Sequence, residues 1–173
     1  MQDLKFLEST TNIKALIKNS IGRTPSTTIS SQIAVCIQQG RHFFEAATAS
    51  PLQIKPLQIY YGALSFAKAV ILARNLVAID TLTPSHGLKD VSDYNSGIEH
   101  LTLQVGKRGT FQDFNSAVAT LGRIWYYENA MMKWTPKPFD GAEGLVDQRI
   151  TITEIFSRIP NLSGLPPVPK TPS

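Results

Sequence analysis

Apolar residues fall almost all round a helical wheel between residues 55 and 76, KPLQIYYGALSFAKAVILARNL, the longest helix-forming run without an interior proline. Leu57, Ile59, Tyr60, Leu64, Phe66, Ala67, Val70, Ile71 and Ala73 cover most of the cylinder. A helix that is apolar on nearly every side is normally enclosed by neighbours. Lys55-Pro56 reads as its start, because proline is tolerated in the first turn. The polar positions Gln58, Ser65, Lys68 and Asn75, joined by Tyr61, share about a third of the circumference. This run is taken as the spine of a helical core.

Upstream, residues 28–49 carry a second strong helical pattern. Ile33, Ile37, Gly40, Phe44 and Ala47 follow steps of four, three, four and three, which is one helix face. Gly40 in mid-helix costs about 1 kcal/mol relative to alanine, and close approach of the spine helix is the expected reason. Ser50 and Pro51 end the pattern, and the short connection to Lys55 predicts an antiparallel helix hairpin. Before it, Thr11 or Asn12 can cap a short helix that stops at Gly22. Leu4, Phe6 and Leu7 of a short lead-in are expected to dock on the core.

Downstream, residues 77–100 are rich in loop formers and read as one long loop. Residues 101–105 alternate and predict a short strand, followed by a Gly106-Lys107-Arg108-Gly109 turn. Thr110 starts a helix with Phe111, Phe114, Val118 and Leu121 on one side. The aromatic-rich stretch 123–134 is read as continuing that helix past Gly122, with Trp125, Tyr126, Met131, Met132 and Trp134 in packing roles. Residues 149–152 can pair with 101–105 as a small ribbon, and 153–159 form a short helix. The tail SGLPPVPKTPS is expected to be extended. The expected architecture is mainly α: a helical bundle on an antiparallel hairpin with a two-stranded β element, as one domain over residues 1–162 and a proline-rich tail over 163–173.

Composition narrows the function classes. The 173 residues are 42% hydrophobic and 17% charged, ordinary for a globular chain. The net charge of +4 comes from scattered Lys and Arg, so nucleic-acid binding is permitted without being indicated. The lone cysteine, Cys36, excludes an internal disulfide and a multi-cysteine metal site, and its apolar neighbours predict burial. No signal peptide is visible, and Lys68 and Arg74 inside the spine argue against a membrane span.

The run FFEAATASPLQIKPLQIYYGALSFAKAVIL resembles the YaaC-like family, in which an aromatic- and Ala-rich helix precedes an IKPL-YYG-L-LAKA helix. SHGL at 85–88, GTFQDF at 109–114 and ITITEIFSRIPNL at 150–162 follow in that family's order, so the likeness spans about residues 28–162. The resemblance implies a mostly helical, cytoplasmic protein of bacterial type, matching the front part of longer members. It assigns no activity. The hairpin is also similar in style to HEPN domains, many of which are ribonucleases. Their active signature is an arginine followed four to six residues later by a histidine. None of the seven arginines here has one; Arg74 and His86 come nearest.

His86, on a Gly/Ser loop, is a candidate general base, although a loop histidine bonded to backbone is the plainer reading. Arg74 would join it in a HEPN-like nuclease. Lys68, on the polar stripe, and Lys107 and Arg108, before a helix start, are candidate anion-binding groups. His42 is expected at the surface, and His42, His86 and His100 have no metal-ligand spacing. No nucleophile elbow, dinucleotide fingerprint or paired-carboxylate motif is present, and no cofactor or metal is indicated. The expected function is a non-enzymatic helical interaction module, or a subunit of a larger bacterial complex such as a defence system, with a protein partner or a second copy. The alternative is a HEPN-like ribonuclease or nucleic-acid-binding effector.

Overall fold

Ser9 sets the first full helix. In the computed structural model its hydroxyl accepts from the backbone N–H of Asn12, and helix α2 runs Thr10–Ile21. The cap therefore falls before Thr11 and Asn12, the residues expected to supply it. Asn12 instead donates its side-chain amide back to the carbonyl of Phe6, 2.8 Å away, at the end of the short helix α1, Gln2–Phe6. Gly22 closes α2 in the left-handed conformation, as expected. Ser26 caps α3, Thr27–Ala49, by accepting from Ile29. Pro56 lies in the first turn of α4, Lys55–Asn75.

The structure describes residues 2–95, 97, 100–119, 124–128, 131–135 and 145–157, with side chains given for 4–95, 97, 100–119 and 145–157. The chain divides into two compact units, Met1–Pro84 and Ser85–Ser173. The first is built on the antiparallel pair α3 and α4, which pack along much of their length. Its core joins Ile13 and Ile17 of α2, Ile33, Ala34, Cys36 and Ile37 of α3, and Ala69 and Leu72 of α4. Leu4 and Leu7 pack against this cluster, whereas Phe6 is exposed. At the crossing two glycines lie opposite two rings. A Cβ on Gly40 would meet the Phe66 ring at 2.8 Å, and one on Gly62 would meet the Phe44 ring at 2.7 Å. The two rings stack on each other with centroids 5.7 Å apart.

The enclosure expected of α4 holds for its second half only. Gly62, Ser65, Ala69, Ile71 and Leu72 are buried, but Leu57, Ile59, Tyr60 and Tyr61 are exposed. The reason is length. The 12 residues of α2 make a rod of about 18 Å, against about 35 Å for the 23 of α3. The short helices cover one end of the hairpin and leave the other bare. By length and composition α4 is the one helix among the described residues apolar enough to cross a membrane.

The second unit holds a three-stranded antiparallel sheet in the order β1-β2-β5: Leu88–Asp90, Thr102–Val105 and Arg149–Thr151. The expected ribbon is present, with Leu103 opposite Ile150. The stretch 77–100 is less irregular than its composition implies. It contains β1, which pairs Lys89 with Gln104, and a 3-10 turn at Ile79–Thr81 in the first unit. Helix α5 is Thr110–Ala119, with Phe111, Phe114 and Val118 half-buried. The helix expected to continue over 123–134 is instead a hairpin of β3, Ile124–Glu128, and β4, Met131–Thr135. Aromatic residues suit a pleated surface better than a helix, and that preference wins here. Thr151 and Glu154 form a capping box for α6, Ile152–Ser157: each accepts from the other's backbone N–H, at 3.2 and 2.7 Å. The proline-rich segment 163–173, Leu121, and the packing of the aromatic side chains between 123 and 134 lie outside the described residues. The chain is thus mainly helical, with a small antiparallel sheet.

Candidate functional site

On α3, Val35, Gln38, Gln39, His42, Phe43 and Ala46 recur at helical spacing and form one face. They line a groove of about 490 Å3. The Phe43 ring stacks on Tyr61 of α4, centroids 5.6 Å apart, and Tyr60 meets Tyr61 edge-on at 5.3 Å. The ring surface therefore continues from the groove onto the bare end of α4. There Leu52 is 77% exposed, Leu57 55% and Tyr60 43%. Ile54 and Ile59 are also exposed, and Lys55 is the only formal charge between Pro51 and Ala67. Contiguous apolar surface of this kind is uncommon on a monomer and marks contact sites. Partial burial pushes the Tyr60 hydroxyl up from its ordinary range.

An ion cluster centred on the buried Arg41 lies next to His42 on α3. Arg41 Nε and Nη2 donate to Glu8, the latter at 3.2 Å, and Nη1 donates to both oxygens of Glu45 at 2.8 Å. The guanidinium holds both carboxyls below their usual range, and they raise the Arg41 pKa in return. Arg41 Nη2 also lies 3.0 Å from His42 Nε2. Sequence reasoning placed His42 at the surface, which holds, but missed Arg41. The four-residue step to Glu45 was readable; Glu8, 33 positions upstream, was not.

The polar stripe of α4 is turned partly inward. Ser65 is buried; its hydroxyl donates to the Tyr61 carbonyl at 2.8 Å and to Gln39 Oε1 at 3.4 Å. Lys68 is half-buried. Burial pushes the Cys36 thiol up, and the nearby Lys68 charge partly offsets it. Arg74 is half-buried in the last turn of α4.

In the second unit His86 is exposed, on a loop docked at the start of α5. Thr110 donates its N–H to the Ser85 carbonyl at 2.9 Å, and Phe111 donates to that of His86 at 3.0 Å. Two of the N–H groups that might have faced an anion are occupied by these oxygens. Lys107 and Arg108 are exposed in the bend before the helix. Gln112, buried, donates its amide to the carbonyls of Gly87 and Gly106 and fastens the loop. Gln112→Leu should cost this unit about 1–2 kcal/mol, because Gly106 loses its donor; equilibrium denaturation read by circular dichroism checks this. The Ser92 side chain, the Tyr94 hydroxyl and the Ser92 N–H, which donates at 2.9 Å, hold the Asp90 carboxyl low. Among the described residues no group of three His, Cys, Asp or Glu side chains could hold a metal.

A family model described as YaaC-like Protein matches residues 4–168, nearly the whole chain. The chain belongs to the YaaC-like family. The match reaches past the segment 28–162 that carries the motifs, taking in the end of α1, all of α2 and residues 163–168 of the proline-rich segment. Within the match, the exposed start of α4 and the buried Gly62 fall in the run IKPLQIYYG, and Ala69 of AKA lies in the core. No curated protein and no solved structure matches the chain.

Proposed function

We propose that this chain is a non-enzymatic helical interaction module, acting in the cytoplasm as a subunit of a larger assembly or as an oligomer. The observation that carries the reading is the uncovered apolar surface at the start of α4 and the turn leading into it, where Leu52, Ile54, Leu57 and Tyr60 are exposed beside the groove that holds Phe43. Enclosing these side chains on association removes apolar area from water at about 25 cal/mol per Å2. Light scattering coupled to size-exclusion chromatography tests it. The wild type is expected to be larger than a monomer or to hold a partner, and Leu57→Asp with Tyr60→Asp is expected to return a folded monomer. A wild-type monomer at all concentrations that retains no partner overturns the reading. Incubation with labelled RNA separates it from the ribonuclease alternative: neither the wild type nor His86→Ala is expected to cleave.

A further inference from the structure

The groove on α3 has a specific chemistry. Its lining combines a flat ring, Phe43, with two side-chain amides, Gln38 and Gln39, and the imidazole of His42. The lining holds no lysine or arginine, which disfavours a phosphate backbone or an acidic peptide. A wholly apolar helix would strand the amides. A polyproline II segment suits them: it has no internal hydrogen bonds, so its carbonyls need outside donors, and its proline rings lie flat on aromatic faces.

The chain's sequence has the pattern such a segment needs. Pro166, Pro169 and Pro172 recur at every third position in LPPVPKTPS. In a polyproline II conformation, with three residues per turn, these prolines would line one edge spanning about 19 Å. The groove face from Val35 to Ala46 spans about 16 Å. Lys170 lies between the last two prolines, and Glu45, beside the groove on α3, keeps its side chain 47% exposed and ionised. We infer that the groove binds an extended proline-rich segment, and that this segment is residues 163–173 of a second copy of the chain. The inference rests on the interaction-module reading and names its partner. Because each copy offers both groove and segment, the exchange either closes reciprocally in a two-fold dimer or passes from copy to copy.

The test uses the full-length chain and a fluorescently labelled peptide of residues 163–173, read by anisotropy. Saturable binding is expected, weakened at least about tenfold when Pro166, Pro169 and Pro172 of the peptide are replaced by alanine. Tyr61→Ser should weaken it roughly fivefold, the scale of one aromatic pair. Gln38→Lys, an exposed change that leaves the core alone, should weaken it by repelling Lys170. Equal binding of the alanine peptide, or none by either, overturns the inference. Light scattering on the full chain with the same three prolines replaced separates the two readings. If that variant still associates while Leu57→Asp with Tyr60→Asp does not, the segment is not the partner and the module reading stands. If neither change alters a wild-type monomer, both readings fall.

Discussion

Gly62→Leu should collapse the α3–α4 pair, lowering stability by about 3 kcal/mol or more, since overpacking at a close crossing has no void to absorb it. Even alanine is too large. Its Cβ would sit 2.7 Å from the Phe44 ring and 3.3 Å from the Gly40 carbonyl, and the carbonyl is backbone that cannot swing aside. The clash of Gly62→Ala is worth about 1–3 kcal/mol. The better helix propensity of alanine returns about 1 kcal/mol, so a net loss of up to about 2 kcal/mol is expected. Phe44→Leu combined with Gly62→Ala should recover part of it, because the contacts are shared and the effects are then non-additive. Thermal melts of the two single variants and the double variant decide the matter. Full additivity would mean that ring and glycine do not meet.

Arg41→Gln is the second large effect, and it is dependent on pH. At neutral pH it leaves Glu8 and Glu45 as adjacent carboxylates without their cation, and the melting temperature should fall further than for Gln112→Leu. Both carboxyls have pKa values lowered in the folded state by the Arg41 hydrogen bonds. Their contribution is therefore present above the ordinary carboxylate range and is lost as pH falls through the lowered folded values. The variant has no such contribution to lose. The two stability curves should be well separated at pH 7 and converge in acid. Melts from pH 7 down to about 3 would show it, and a gap that stays constant across that range would rule out the ion cluster as the cause.

Much of the first unit could be read from residue spacing. Gly40 announced a close helix neighbour, and the structure supplies it. Its counterpart Gly62 passed unnoticed inside YYG, although the same physics applies. The all-round apolar pattern of α4 was ambiguous in a way that spacing cannot resolve. Full enclosure and a bare end give the same wheel; what separates them is the length of α2, a property of a different element. The second unit was harder. Three residues of β1 lie among loop formers, and a strand that short has no period to detect. Residues 123–134 lack the Asn-Gly or Asp-Gly signal of a tight hairpin, since Asn129 and Ala130 separate the strands. Of the candidate chemistry, the sequence singled out His86, Arg74, Lys68, Lys107 and Arg108, whereas Arg41 stands out only once Glu8 is brought onto α3, and the groove face is a stripe of α3 whose spacing was readable but carries no motif.

The paired glycines also fix how the hairpin can move. A slip of α3 along α4 by one turn would carry Phe44 off Gly62 and onto either Gln58 or Phe66, and Phe66 off Gly40 onto Cys36 or Phe44. Each destination already has a side chain where the ring must go. Shear between these helices is therefore blocked in both directions, and the pair behaves as a rigid plank. A partner seated on it meets a surface already in its binding shape, so little of the association energy is spent on rearrangement.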